Sequence, residues 1–131
     1  MTASPTGFEE SVEDIDRQAG SNRLSITQTC NEGVNVVTVG GEIDHDSAPQ
    51  LLQALTSHDT AAQRTVLDVS GVTFMDSSGI NALITAHQAA ESLGGWLRLA
   101  GPSPSVSRLI EIVGLRPVIA CHSTVVDALR A

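Results

Sequence analysis

Two periods of apolar residues divide this chain. Leu24-x-Ile26 and Val34-x-Val36-Val37-x-Val39 follow the alternation of strands, and Asn31-Glu32-Gly33 between them supplies turn chemistry for a hairpin. Gly40-Gly41 reads as the end of the second strand, and Glu42 to Ser47 as a polar loop. Ala48, Leu51, Leu52 and Leu55 then fall at i, i+3, i+4, i+7, one face of a helix that stops near Ser57-His58-Asp59. Ser47, or Asp46 if the helix starts a residue earlier, is the expected N-cap. The run Val66-Leu67-x-Val69 suits a strand buried on both faces, with Gly71 as a chain reversal and Phe74 and Met75 as core anchors after it. Asp76, Ser77, Ser78 and Gly79 stand where the next helix begins, and Ile80, Leu83, Ile84 and His87 repeat the helical spacing.

Further on, Gly94-Gly95 ends that helix and Trp96 to Ala100 forms a strand. A helix from about Ser103 to Val113 turns Val106, Leu109, Ile110 and Val113 inward and stops at Gly114. Residues 117–120 read as a short last strand, and Ser123 as the cap of a final helix with Val125, Val126 and Leu129. The order β-β-α-β-α-β-α-β-α predicts an α/β domain. Its sheet is mostly parallel, with four to five strands, right-handed crossovers, one antiparallel edge strand and about four packed helices. In such a sheet Asp44, Asp76, Ser77 and Ser78 gather at the carboxyl rim of the strands, where functional groups commonly collect.

Residues 1–22 lack a core pattern. They hold Glu9, Glu10, Glu13, Asp14 and Asp16 among small polar residues, the composition of a disordered acidic tail. Only Phe8, Val12 and Ile15 have the spacing of a short amphipathic helix. The single domain is therefore assigned to 23–131. No apolar run approaches the ~18–20 residues of a membrane span, and no secretory leader is legible, which predicts a cytoplasmic protein without membrane insertion.

Charge narrows the function classes. The formal net charge is −8, with seven Arg and no Lys. Such a surface repels phosphate backbones, so nucleic acid is not the expected partner; a basic protein surface is. Without Lys there is no Walker-type phosphate loop, no Schiff base and no Ser–Lys dyad. Cys30 and Cys121 are far apart and form no C-x-x-C pair. Two buried free thiols are the plain expectation, and a regulatory disulfide the alternative.

The stretch Val-Leu-Asp-Val-Ser-Gly-Val-Thr-Phe-Met-Asp-Ser-Ser-Gly-Ile at 66–80 resembles the signature of the STAS domain, closest to the bacterial anti-sigma-factor antagonists. Gly41-Glu42-Ile43-Asp44 followed by Ala48 and Leu51-Leu52 is a second match. Gly94-Gly95-x-Leu97-x-Leu99, Pro104-x-Val106-x-Arg108-Leu109 and Gly114-Leu115 form a third. Together they cover about residues 23–130, in the family's order.

The resemblance implies a phosphorylated serine directly after the motif Asp, which is Ser77, with Ser78 as second choice. Read from the residues alone, both serines simply suit a helix start. The resemblance also implies that Asp44 lies near the phosphorylation site. Asp44, Asp76, Ser77, Ser78 and Gly79, with the adjoining helix 78–93, are the expected partner surface. The implied partners are an anti-sigma factor that is a serine kinase with a histidine-kinase-type ATPase fold, and a PP2C-type phosphatase. The unphosphorylated protein would bind the anti-sigma factor and free a sigma factor in a stress response. In that role the protein is a phosphoacceptor and not an enzyme, with no cofactor. The alternative role is a STAS subunit of a lipid or anion transport system, or a sensory scaffold, without phosphorylation.

Two further chemistries have little support. Asp44-His45-Asp46 matches no usual metal-ligand spacing. A serine hydrolase using His45 lacks the G-x-S-x-G elbow. His87 reads as a partly buried imidazole on a helix face, and Arg108 as a solvated guanidinium that serves only the fold.

Overall fold

A computed structural model describes residues 24–56 and 64–131. The expectations for the acidic tail, and for a helix stop at residues 57–59, lie outside the described residues. The described elements are β1 (Leu24–Asn31), β2 (Val34–Ile43), α1 (Ala48–Thr56), β3 (Arg64–Met75), α2 (Ser77–Ser92), β4 (Trp96–Ala100), α3 (Pro104–Ile112), β5 (Ala120–His122) and α4 (Val125–Arg130). The five strands form one sheet in the order β1-β2-β3-β4-β5. β1 pairs antiparallel with β2, and every other pairing is parallel. The class, the antiparallel edge and the helix count are those read from the sequence.

The hairpin turns tightly. Glu32 at φ 51° and Gly33 at φ 83° join the paired residues Asn31 and Val34, the two positive-φ positions a type I′ turn needs.

β3 is buried on both faces because helices cover both. Leu67 and Val69 belong to a core with Leu51 of α1, Leu83 of α2 and Ile110 of α3. Val66 points the other way, with Ala100, toward Ala128 of α4. Alternation along the strand therefore divides one continuous apolar run between two cores.

Several local expectations need correcting. Gly40-Gly41 does not end β2 and Gly71 does not reverse the chain: both strands run on, to Ile43 and to Met75. Gly40 instead pairs with Gly71 across the sheet. A Cβ on Gly71 would stand 3.2 Å from both the Gly40 Cα and the Val39 carbonyl oxygen, so the glycines permit close backbone approach. The register slips on either side of this pair, which marks β-bulges. Met75 is buried as expected, but Phe74 is 48% exposed, because adjacent strand residues face opposite ways.

Val113 is exposed rather than inward. At the end of α3, Gly114 N–H donates to the Glu111 carbonyl and Leu115 N–H to the Ile110 carbonyl, and Gly114 takes φ 72°. This Schellman closure puts Leu115, 2% exposed, in the core position. The last strand is Ala120–His122, not 117–120, since the N–H groups of Val118 and Ile119 both donate to the Leu115 carbonyl in a turn. The cap of α4 is Thr124, not Ser123: its Oγ1 accepts the Asp127 N–H at 3.1 Å.

The two cysteines lie on β1 and β5, the opposite edges of the sheet. Four strand spacings of about 4.8 Å separate them, roughly 19 Å, far beyond disulfide reach. An intramolecular disulfide is thereby ruled out. Cys30 is exposed, against the expectation of a buried thiol, while Cys121 is partly buried.

Candidate functional site

The ends of β2 and β3 build the rim. Ile43 and Met75 pair in register, so Asp44 and Asp76 leave the sheet side by side. The Asp76 N–H donates to the Ile43 carbonyl at 3.2 Å and ties the two exits together.

Each aspartate then organises its own helix start. Asp44 Oδ1 accepts the N–H groups of Asp46 and Ser47 at 3.0 and 3.1 Å. Its carbonyl accepts the Ala48 N–H at 2.8 Å. Ser47 was expected as a side-chain cap, but its hydroxyl works backwards along the chain. Its Oγ donates to the Glu42 carbonyl at 2.8 Å and accepts the Asp44 N–H at 2.9 Å. Ser47 is 1% exposed, so it is a buried pin for this loop.

At α2 the cap is Asp76, whose Oδ1 accepts the N–H of Ser78 at 2.9 Å and of Gly79 at 3.3 Å. This leaves Ser77 as the first helical residue, exposed to solvent, with Ser78 half-buried behind it. Gly79, expected in the partner surface, is buried. A Cβ on Gly79 would lie 2.6 Å from Met75 Cγ and 2.8 Å from Ile43 Cγ2. The glycine lets α2 start directly on top of the paired strand ends.

The structure thus brings Asp44, Asp76, Ser77 and Ser78 to one edge. Asp46 lies in the same loop as Asp44, and Glu42 lies near the end of the strand just before it, which makes the edge acidic. Sequence reasoning missed a groove beside it. His45, Ala48, Pro49 and Leu52 of the α1 side face Ser78, Asn81, Ala82 and Thr85 of α2 across a largely apolar cleft of about 290 Å³. The available signal was the run of small and polar residues at 78, 81, 82 and 85, a second helical stripe on α2 beside the core stripe.

His45 and Ser78 share this groove, which is the nearest approach to a hydrolase arrangement. The Ser78 and Gly79 amides that would form an oxyanion hole already donate to Asp76 Oδ1, so this helix start offers a poor hole. Among the described residues no three His, Cys, Asp or Glu side chains gather as a metal site requires. No described helix is long and apolar enough to cross a membrane. His87 is half-buried on α2, with Nε2 3.5 Å from Glu91 Oε1. Arg108 lies exposed on α3.

Comparison with known proteins places the chain in a family. The sequence profile of the STAS domain matches residues 25–128. An anti-sigma F factor antagonist of Paenibacillus polymyxa is 29% identical over 111 residues, 81% of this chain and 92% of that protein. An anti-sigma-B factor antagonist of Staphylococcus aureus is 30% identical over 97 residues, 73% of this chain and 90% of that protein. The crystal structure of an anti-sigma factor antagonist from Mycobacterium paratuberculosis superposes with a TM-score of 0.74 at 30% identity, over 86% of this chain and 95% of that one.

Proposed function

The chain belongs to the STAS domain family, and from that membership we propose that it is an anti-sigma-factor antagonist switched by phosphorylation of Ser77. Unphosphorylated, it binds a cytoplasmic anti-sigma factor that is also a serine kinase, and a sigma factor is released. Phosphate on Ser77 ends the binding, and a PP2C-type phosphatase restores it. The protein itself catalyses nothing in this cycle.

One observation carries the reading: Ser77 is an exposed hydroxyl at the first helical position, directly after the capping Asp76, on an acidic rim. Exposure gives a kinase access. The neighbouring amides are held by Asp76 Oδ1, so a phosphate on Ser77 has no call on them and stands outward. It adds about −1.5 to −2 charges at pH 7 to an edge that already holds Asp44, Asp46 and Asp76. A basic partner surface complementary to the unmodified rim meets a bulky dianion at its centre, while the fold beneath stays intact. Asp44, Asp76, Ser78 and the groove between α1 and α2 complete the contact surface around Ser77. The antagonist names of the relatives and of the 30%-identical solved structure favour this role over that of a subunit in a transport system.

The test is intact mass after incubation with the cognate anti-sigma kinase and ATP, for wild type, Ser77→Ala and Ser78→Ala. One added phosphate that is lost only in Ser77→Ala supports the switch at Ser77. Loss only in Ser78→Ala moves the site. No phosphate on any folded variant, with a kinase active on another substrate, rejects that pairing.

A further inference from the structure

The two edges of the sheet are unlike. β5 is three residues long. β1 is eight residues long, and among the described residues β2 is its one strand neighbour. Its register with β2 runs unbroken from Leu24 to Asn31, without a bulge. From Ser25 on, every residue of β1 except the half-buried Ile26 is exposed. Sheets blunt an open edge with charge, proline, a bulge or a short strand. Leu24-Ser25-Ile26-Thr27-Gln28-Thr29-Cys30-Asn31 has none of these. Its lack of charge stands out in a chain of net charge −8. Along its outer side, alternate N–H and C=O groups face away from β2, a template for one more strand.

We infer that this edge pairs antiparallel with β1 of a second copy, about a two-fold axis at Gln28. Residues opposite each other in an antiparallel ladder are both hydrogen-bonded or both not, and the two kinds alternate along each strand. A two-fold axis relating identical strands therefore falls on one residue and its own copy. Two axes use nearly the whole strand. An axis at Thr27 pairs residues 24–30 and sets the apolar Ile26 against the Gln28 amide of the second copy. An axis at Gln28 pairs residues 25–31 and matches like with like: Thr27 with Thr29, Ile26 with Cys30, Ser25 with Asn31, and Gln28 with itself. Such cross-strand pairs, Thr–Thr among them, are what stabilises a ladder. The faces also continue across the axis. Leu24 and Ile26 pack on the core beneath α1, α2 and α3, so Gln28 and Cys30 share that face and Thr27 and Thr29 take the other. Charge selects a second copy over a basic partner. A cationic segment gains nothing from this uncharged strand, whereas two acidic molecules meet here without opposing like charges. The pairing joins two five-stranded sheets into one. The rim of Asp44, Asp76 and Ser77 lies at the ends of β2 and β3, outside the paired edge, and stays open in both copies.

The test uses the full 131-residue chain as wild type, Gln28→Lys and Ile26→Cys. Gln28→Lys sets two cations against each other on the axis, at an exposed position. Ile26→Cys brings a thiol opposite Cys30 of the second copy, at about 4.5–5.5 Å between Cα atoms and within disulfide reach. The native Cys30 thiols stand roughly 14 Å apart in this register, so a Cys30–Cys30 link joins separate pairs. Four results support the pairing. Wild type sediments as a dimer. Gln28→Lys raises its dissociation constant at least about tenfold. The outward amides of residues 25–31 exchange about tenfold slower in the dimer than in the monomer. Oxidised Ile26→Cys carries an intermolecular link between positions 26 and 30. A wild type that stays monomeric up to about 1 mM overturns the pairing. So does a dimer whose 25–31 amides exchange as fast as the monomer's. Gln28→Lys keeps the test decisive if Ile26→Cys, at a half-buried position, fails to fold.

Discussion

Gly79 lies so close to Met75 that a Cβ added to it would stand 2.6 Å from the Met75 Cγ. Ile43, on the neighbouring strand, closes the other side at 2.8 Å. Both neighbours are buried, so neither moves aside cheaply. Gly79→Ala is expected to destabilise the fold by about 1–3 kcal/mol, the usual range for overpacking. Urea unfolding checks it, and a change below 0.5 kcal/mol, by order of magnitude the range of an ordinary surface substitution, would contradict this packing role.

Asp76 offers a cap and a charge, and two substitutions separate them. Asp76→Ala removes the acceptor of the Ser78 and Gly79 amides and should cost about 0.5–2 kcal/mol. Asp76→Asn keeps an acceptor oxygen and should cost far less. Equal losses in thermal unfolding would show that the charge, not the cap, is what the fold uses.

Phosphorylation at Ser77 should leave the structure in place and change binding. Amide NMR shifts are expected to move only near residues 44–48 and 76–82. Affinity for the anti-sigma partner should fall by at least about tenfold. For the unmodified protein, association should slow as salt rises, since an acidic rim steers a basic partner. Widespread shift changes on phosphorylation would replace the surface-charge account with a conformational one.

The two thiols should behave differently. Burial pushes the Cys121 thiol up from the usual value of 9.0, and the nearby Arg116 pulls only part of the way back. At pH 8, alkylation mapped by mass should therefore reach the exposed Cys30 first. A raised thiol pKa also favours the folded state only while the thiol is protonated. That contribution is present below the unfolded value and is lost as pH rises through the folded one, above about pH 9.0. Mild oxidation should give intermolecular dimers through Cys30 that Cys30→Ser abolishes. A monomeric disulfide would contradict the placement of these residues on opposite sheet edges.

Much of this was legible in the residues themselves. The two apolar periods, the turn residues and the caps determine the order of elements, because a strand or helix is specified by which neighbours along the chain share a face. The double burial of Val66, Leu67 and Val69 was readable for the same reason. So was the placement of Asp76 and Ser77 at a helix start, since both that end and its capping chemistry are local. What needed the third dimension were relations between distant segments. Gly40 and Gly71 look like turn glycines until the sheet sets them face to face. Ser47 looks like a cap until the Glu42 carbonyl claims its hydroxyl. Phe74 looks like core until Met75 takes the inward side. The groove beside Ser78 exists only where separate elements meet. Local pattern decides which residues form an element; only packing decides what each element leaves exposed.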